Sequence, residues 1–175
     1  MDFYSTVFST IDLRSFSNIW FWIAIAVGWS NMTHFIVGVP FDMVQRARRR
    51  GGQAMIDLET MAMLQARRRN QIMQSAGVWL VAFWSAILTV VGVIGFGYGA
   101  ELAQAATLLL VPMSIAASLG MGLAAKLERA PLTGKALTKK LILHRVLIQA
   151  IGLLAILITT MWGTVHNLSI PLLDR

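Results

Sequence analysis

The chain has 175 residues, 57% of them hydrophobic and 13% charged, against roughly 45–50% apolar and 25% charged in soluble domains. With a mean hydropathy of +0.66, a soluble globule, a disordered chain and a coiled coil are all poor descriptions. Cysteine is absent, which excludes disulfides, thiolate metal sites and cysteine catalysis.

Residues 1–17 come first. Phe3, Val7, Phe8 and Ile11 share one helical face, with Ser5, Ser9 and Asp12 largely opposite. This pattern predicts a short helix in the outer membrane interface, acting either as an anchor for the first span or as a docking helix for another membrane protein. The leader carries Asp2 and Asp12 rather than a basic n-region, so the first span is expected to be retained and not cleaved as a signal peptide.

A helix needs about 20 apolar residues to cross roughly 30 Å of hydrocarbon. Ile19–Val39, Met73–Gly97, Leu102–Ala124 and Val146–Val165 meet that requirement. Their length and continuity favour helices over barrel strands. The reading is therefore all-α: an integral membrane protein with four transmembrane helices (19–39, 73–97, 102–124, 146–165) and short interfacial helices. Residues 18–175 form a single transmembrane domain.

The loop 40–72 carries Arg46, Arg48, Arg49, Arg50, Arg67, Arg68 and Arg69. The loop 125–145 adds Lys126, Arg129, Lys135, Lys139, Lys140 and Arg145. Thirteen of the fifteen basic residues thus fall on one side, leaving Arg14 and Arg175 on the other. The bias predicts cytoplasmic loops, with both termini periplasmic or outside. Phe16, Trp20, Phe21, Trp22, Phe96, Tyr98 and Trp162 map near the outer boundary, where aromatic rings suit the headgroup zone. Trp29, Trp79 and Trp84 lie deeper.

Within the first loop, Pro40 is expected to stop the span. Asp42 is expected to cap a short helix, with Gln45 completing a capping box. Gly51-Gly52 then breaks it. Gln53–Asn70 is helical in pattern and is expected to run into the second span. The arginines of this loop suit anionic lipid, and Met55, Met61 and Met63 offer a face for a cytoplasmic partner. Nucleic acid is not expected, because no stacking aromatics are interleaved with the arginines.

Small residues point to close helix packing. Ser114, Ser118 and Gly122 repeat at i+4 in the third span, as do Gly120 and Ala124. Gly92, Gly95, Gly97 and Gly99 cluster at the end of the second. This cluster is no phosphate loop: it has no preceding strand and no Lys-Ser/Thr after it. The second and third spans are expected to form an antiparallel hairpin, and Pro112 to kink the third.

Chemistry is sparse. No Asp or Glu lies inside a span, which weighs against a proton-coupled exporter. Ser30, Asn31, Thr33 and His34 in the first span, and Gln149, Thr159 and Thr160 in the fourth, are the polar intramembrane residues noted. Ser30, Asn31 and His34 share a helix face. His34 and His144 lie in the same leaflet, so they are candidate haem or pigment ligands. Interhelical hydrogen bonding is the simpler role for each. His166 belongs at the outer mouth. Asn167-Leu168-Ser169 has the form of a glycosylation acceptor.

Three stretches together resemble a group of small alphaproteobacterial membrane proteins often labelled "component of SufBCD complex". They are Met1–Phe8, Asp12–Trp20, and Val39-Pro-Phe-Asp-Met-Val-Gln-Arg-Ala-Arg-Arg-Arg-Gly-Gly-Gln53. The resemblance is concentrated in roughly the first 60 residues. It implies a bacterial inner membrane and supplies no catalytic residues. That complex is a cytoplasmic iron–sulfur assembly machine. With no cysteine and no ATPase motif here, the most the resemblance implies is a membrane dock for it.

The expectation is a multi-pass bacterial inner-membrane protein with no enzymatic activity and no cofactor. Its partners would be anionic lipids at the cytoplasmic face and other membrane-protein subunits. Its role would be that of an accessory or structural subunit of a larger complex, such as a respiratory or photosynthetic one. Two alternatives stay open: a homo-oligomeric transporter or channel lined by Ser30, Asn31, His34 and Gln149, and a haem-bearing electron carrier through His34 and His144.

Overall fold

Long apolar runs, broken only by short glycine- and proline-containing turns, give the chain five helices and one small hairpin among the described residues. The computed structural model describes residues 19–173, with side chains as far as Val165. The elements are α1 (Ile19–His34), β1 (Phe35–Ile36), β2 (Val39–Pro40), α2 (Phe41–Arg50), α3 (Gly52–Gly92, continued by a π-helical turn at Val93–Gly97), α4 (Glu101–Arg129) and α5 (Gly134–Leu173). The outer interfacial segment expected at 1–17 lies outside the described residues.

Among the described residues, three helices are long and apolar enough to cross a membrane: Gly52–Gly97, Glu101–Arg129 and Gly134–Val165. The fourth expected span, 19–39, is helical only to His34. Its 16 residues make ~24 Å of helix at 1.5 Å per residue. The chain then turns back in an antiparallel hairpin, pairing Phe35 with Pro40 and Ile36 with Val39. Val37 and Gly38 have φ of 54° and 84°, the pair of positive values that a tight two-residue hairpin turn demands. A β-branched residue rarely takes that conformation. Here Val37 is 3% exposed, and its burial in a hydrophobic cluster offsets the backbone strain.

α2 begins after Pro40, which is the N-cap and provides no side-chain hydrogen bond. Asp42 therefore does not serve as the expected cap. It sits in the first turn, where a carboxylate favours the helix dipole, and accepts a hydrogen bond from Arg46 Nη2 at 2.7 Å. Gly51 and Gly52, both at positive φ, separate α2 from α3. From there α3 runs unbroken through the basic segment into its apolar half. Its 41 residues span ~60 Å.

α4 and α5 are central. α3 packs chiefly on α4, and α1 chiefly on α5. Pro112 lies inside α4 without ending it. Two hydrophobic clusters result. One joins Ile25 and Trp29 of α1 to Ala116 of α4 and to Ile148 and Ala155 of α5. The other lies at the basic end. It unites the hairpin, α2, the first turns of α3, the last of α4 and the start of α5 through Val39, Val44, Leu58, Leu127, Leu137 and Leu141. The segment 40–72, expected to connect the first two spans through two helices, and the segment 125–145, expected as a loop, thus form a packed helical platform. Glu59 reaches across it, its Oε1 accepting from Gly134 N at 2.6 Å and so capping α5. Asn70 donates to Glu128 and to the Ala124 carbonyl.

Candidate functional site

Where the platform meets the apolar halves of the helices, a cavity of about 320 Å³ opens between α1, α3, α4 and α5. Its polar lining is Asn31, Arg69 and His144, and apolar side chains such as Met32, Ile36 and Ile148 complete it. Gly120 of α4 lies where they converge. It is buried, and a Cβ built there lies 3.8 Å from both Arg69 Nη1 and His144 Nε2. Arg69 and His144, distant in sequence, are brought to one spot because α3 and α5 both pack on α4.

Among the described residues no acid lines this cavity. Among the described residues the one ion pair is Arg46–Asp42, so the half-buried Arg69 guanidinium has no carboxylate partner. The arrangement presents N–H donors from Arg69, His144 and Asn31, chemistry that accepts an oxygen-rich or anionic group. Among the described residues it has no carboxylate to act as a base and no second imidazole. No group of three or more His, Asp or Glu side chains suited to a metal exists among the described residues.

His34 does not line this cavity. It is exposed at the end of α1, with its ring edge-on to Phe35 at 4.9 Å and 82°. The two candidate ligand histidines, His34 and His144, therefore do not share a pocket. Ser30 and Gln149 are also exposed, and of the predicted polar face only Asn31 reaches the cavity. The side chains of His166, Asn167 and Ser169 lie outside the described set.

The small residues fall into distinct settings. At Gly95 a Cβ would lie 2.7 Å from Gln104 N and 2.9 Å from Ala103 C, so the turn out of α3 presses directly on the α4 backbone. At Gly92 and Gly122 a Cβ would meet nothing within 4 Å. Ser114 accepts a hydrogen bond from Trp84 Nε1 at 2.7 Å, which ties α4 to α3. Ser118 is exposed and bonds only its own helix, at the Ile115 carbonyl. The stripe Ser114–Ser118–Gly122 is thus engaged within the chain at Ser114 alone.

Two packing features were not anticipated. Gln104 is 6% exposed. Its Nε2 donates to the Gly95 carbonyl at 3.0 Å, and its Oε1 accepts from Trp162 Nε1 at 3.0 Å. Trp162 in turn stacks edge-on with Phe96 at 5.3 Å. A glutamine within an apolar run was the available signal, since a buried amide needs partners. Gly152 receives Trp29, whose Cε3 lies 2.9 Å from a Cβ built there. The glycine in the fourth apolar run was that signal.

The seven arginines of the predicted surface also separate. Arg46 pairs with Asp42, Arg48 and Arg49 flank a groove with Phe41 and Ile142, Arg50 lies beside Gln53 and Asp57, Arg67 and Arg68 are exposed, and Arg69 faces the cavity. Arg145 lies over the Phe41 ring at 3.6 Å from its centroid, a cation–π contact that holds α5 to the start of α2.

Comparison with protein-family models, curated proteins and solved structures finds no match. What the fold defines is an all-α protein with, among the described residues, three helices of membrane-spanning length and apolarity.

Proposed function

We propose that the chain is a non-enzymatic structural or accessory subunit of a larger membrane assembly. It crosses a bacterial inner membrane four times, with the platform in the cytoplasm and both termini periplasmic. The observation that carries this reading is the exposure of α3. Only 6% of its most apolar stretch is buried, against 22% in α4 and in α5. Val78 and Trp79 are 83% and 80% exposed. An edge helix whose apolar half is covered chiefly by α4 offers a wide apolar face to another subunit, and the exposed Ser118 and Gly122 on α4 offer a close-approach surface.

α1 supplies the fourth crossing, lying along α5 with Trp29 on Gly152, and the apolar hairpin extends it towards the platform. The excess of Lys and Arg at the platform supports its cytoplasmic placement. The resemblance of the first 60 residues supports the bacterial inner membrane as the setting.

Native gels of mildly solubilised membranes test this. The chain should migrate with other proteins, and a photo-crosslinker at Val78 should give adducts with a second polypeptide. Gly122→Leu should shrink the assembly while leaving the melting temperature of the isolated chain unchanged. A reporter fused after Arg175 should be active only if it works in the periplasm. Migration as a free monomer with lipid adducts alone refutes the subunit reading; a cytoplasmic reporter signal refutes the orientation.

A further inference from the structure

A second recess lies on the other side of α5 from the Arg69 cavity. It has a volume of about 720 Å³ and is bounded by α2, the start of α3 and α5. Its α5 wall is built from Lys135, Lys139, Ile142 and Val146, spaced four, three and four residues apart. That spacing puts them on one helix face, with both cations at the platform end and the apolar residues leading into the long apolar run. The opposite wall contributes Arg48 and Met55. One face therefore changes from cationic to apolar over eleven residues, ~16 Å of helix.

Among the described residues no acid lines the recess. The acids of the platform are each engaged elsewhere: Asp42 by Arg46, Asp57 by Gln53, Glu59 by Gly134 and Glu128 by Asn70. Arg48, Lys135 and Lys139 thus lack a counter-ion from the described chain. Leu143 and Val146 are 59% and 55% exposed, so the apolar wall opens onto the outer surface of the spanning helix.

We propose that this groove binds one anionic phospholipid, its phosphate against Arg48, Lys135 and Lys139 and its acyl chain along Ile142 and Val146. The arrangement matches an amphiphile: charge complementarity at one end, and at the other an apolar floor continuous with the lipid-facing side of α5. A soluble anion would use only the first half. An acidic peptide would leave the wall towards Val146 without a matching surface. The site draws Arg48 from the arginine-rich segment and adds two lysines from a segment far away in sequence, so it is a defined place within a generally basic surface. It does not depend on the subunit reading.

Native mass spectrometry of the full chain, purified in neutral detergent and titrated with phosphatidylglycerol or phosphatidylcholine, tests it. One phosphatidylglycerol should be retained, at least tenfold more tightly than phosphatidylcholine. Lys135→Gln/Lys139→Gln should weaken that retention at least tenfold, and Lys135→Arg/Lys139→Arg should preserve it. Arg67→Gln/Arg68→Gln removes the same charge outside the groove and should bind as the unsubstituted chain does. Ile142→Ser should weaken binding of the lipid, and equimolar inorganic phosphate should not displace it. Equal loss in the two neutralised variants would mean diffuse attraction and overturn the site. So would unchanged binding by Lys135→Gln/Lys139→Gln, failure of the Lys→Arg pair, indifference to headgroup charge, or displacement by phosphate.

Discussion

At Gly95 the structure allows a sharp test of how the α3–α4 hairpin is held. A methyl group there would stand 2.7 Å from the backbone nitrogen of Gln104 and 2.9 Å from the carbonyl carbon of Ala103. These are backbone atoms and cannot rotate away, so Gly95→Ala must move the two segments apart by ~0.7 Å to restore ordinary contact. That shift takes the bond from Gln104 Nε2 to the Gly95 carbonyl, now 3.0 Å, beyond hydrogen-bonding range. It also strains the linked bond from Trp162. Overpacking costs about 1–3 kcal/mol, and leaving the buried Gln104 amide unsatisfied costs about 1–3 kcal/mol more. Alanine recovers about 1 kcal/mol over glycine in helical backbone. The net expectation is a loss of about 1–5 kcal/mol, at roughly 2–4 °C of melting temperature per kcal/mol for a chain of this size. Gly92→Ala is the control. Three residues away, it meets nothing within 4 Å and should be neutral or slightly stabilising. Thermal unfolding in detergent, followed by far-UV circular dichroism and tryptophan emission, measures both. If Gly95→Ala melts with Gly92→Ala or with the unsubstituted chain, the close backbone approach is not what holds the hairpin.

Two further predictions follow from the contacts that join other elements. Glu59→Gln weakens the cap on α5 by about 1 kcal/mol, within the range of capping losses. Amide hydrogen exchange at Gly134–Leu137 should then speed up about fivefold, and unchanged exchange would remove Glu59 from that role. Gly152→Leu must displace the Trp29 ring, because even a Cβ there lies 2.9 Å from it. The result should be to loosen α1 from α5 by about 1–3 kcal/mol. Because the chain has no cysteine, a single Ile25→Cys in the same cluster reports the change: maleimide labelling should be faster in Gly152→Leu, and equal rates would refute the docking argument.

The apolar spans of α3, α4 and α5 and the break between α3 and α4 were legible in the residue order, whereas the segment 125–145, expected as a loop, is broken only at 130–133. Hydropathy over twenty residues and the positive φ of Gly51, Gly52 and Gly99 are local properties, and so is the unbroken run of α3 from Gly52. The end of α1 was not legible. Phe35–Val39 is as apolar as the helix before it, and hydropathy cannot distinguish a buried hairpin from a continuing span. What turns the chain is Val37 held at positive φ by burial in the platform core. The same limit explains Asp42, whose residue type suits an N-cap but whose register after Pro40 makes it a first-turn residue paired with Arg46.

The amino-acid order alone determined which stretches are apolar, where basic charge collects, and that thiol chemistry is absent, because these are sums over neighbours in the chain. Only the tertiary structure decided which cations meet. Arg69 comes to His144 because α3 and α5 both pack on α4, and Arg48 comes to Lys135 and Lys139 because α2 folds back on α5. It also decided which small residues matter: Gly95 and Gly152 are tight while Gly92 and Gly122 stand open. Close approach depends on what another helix places opposite, and a glycine carries no record of that in its own sequence neighbourhood.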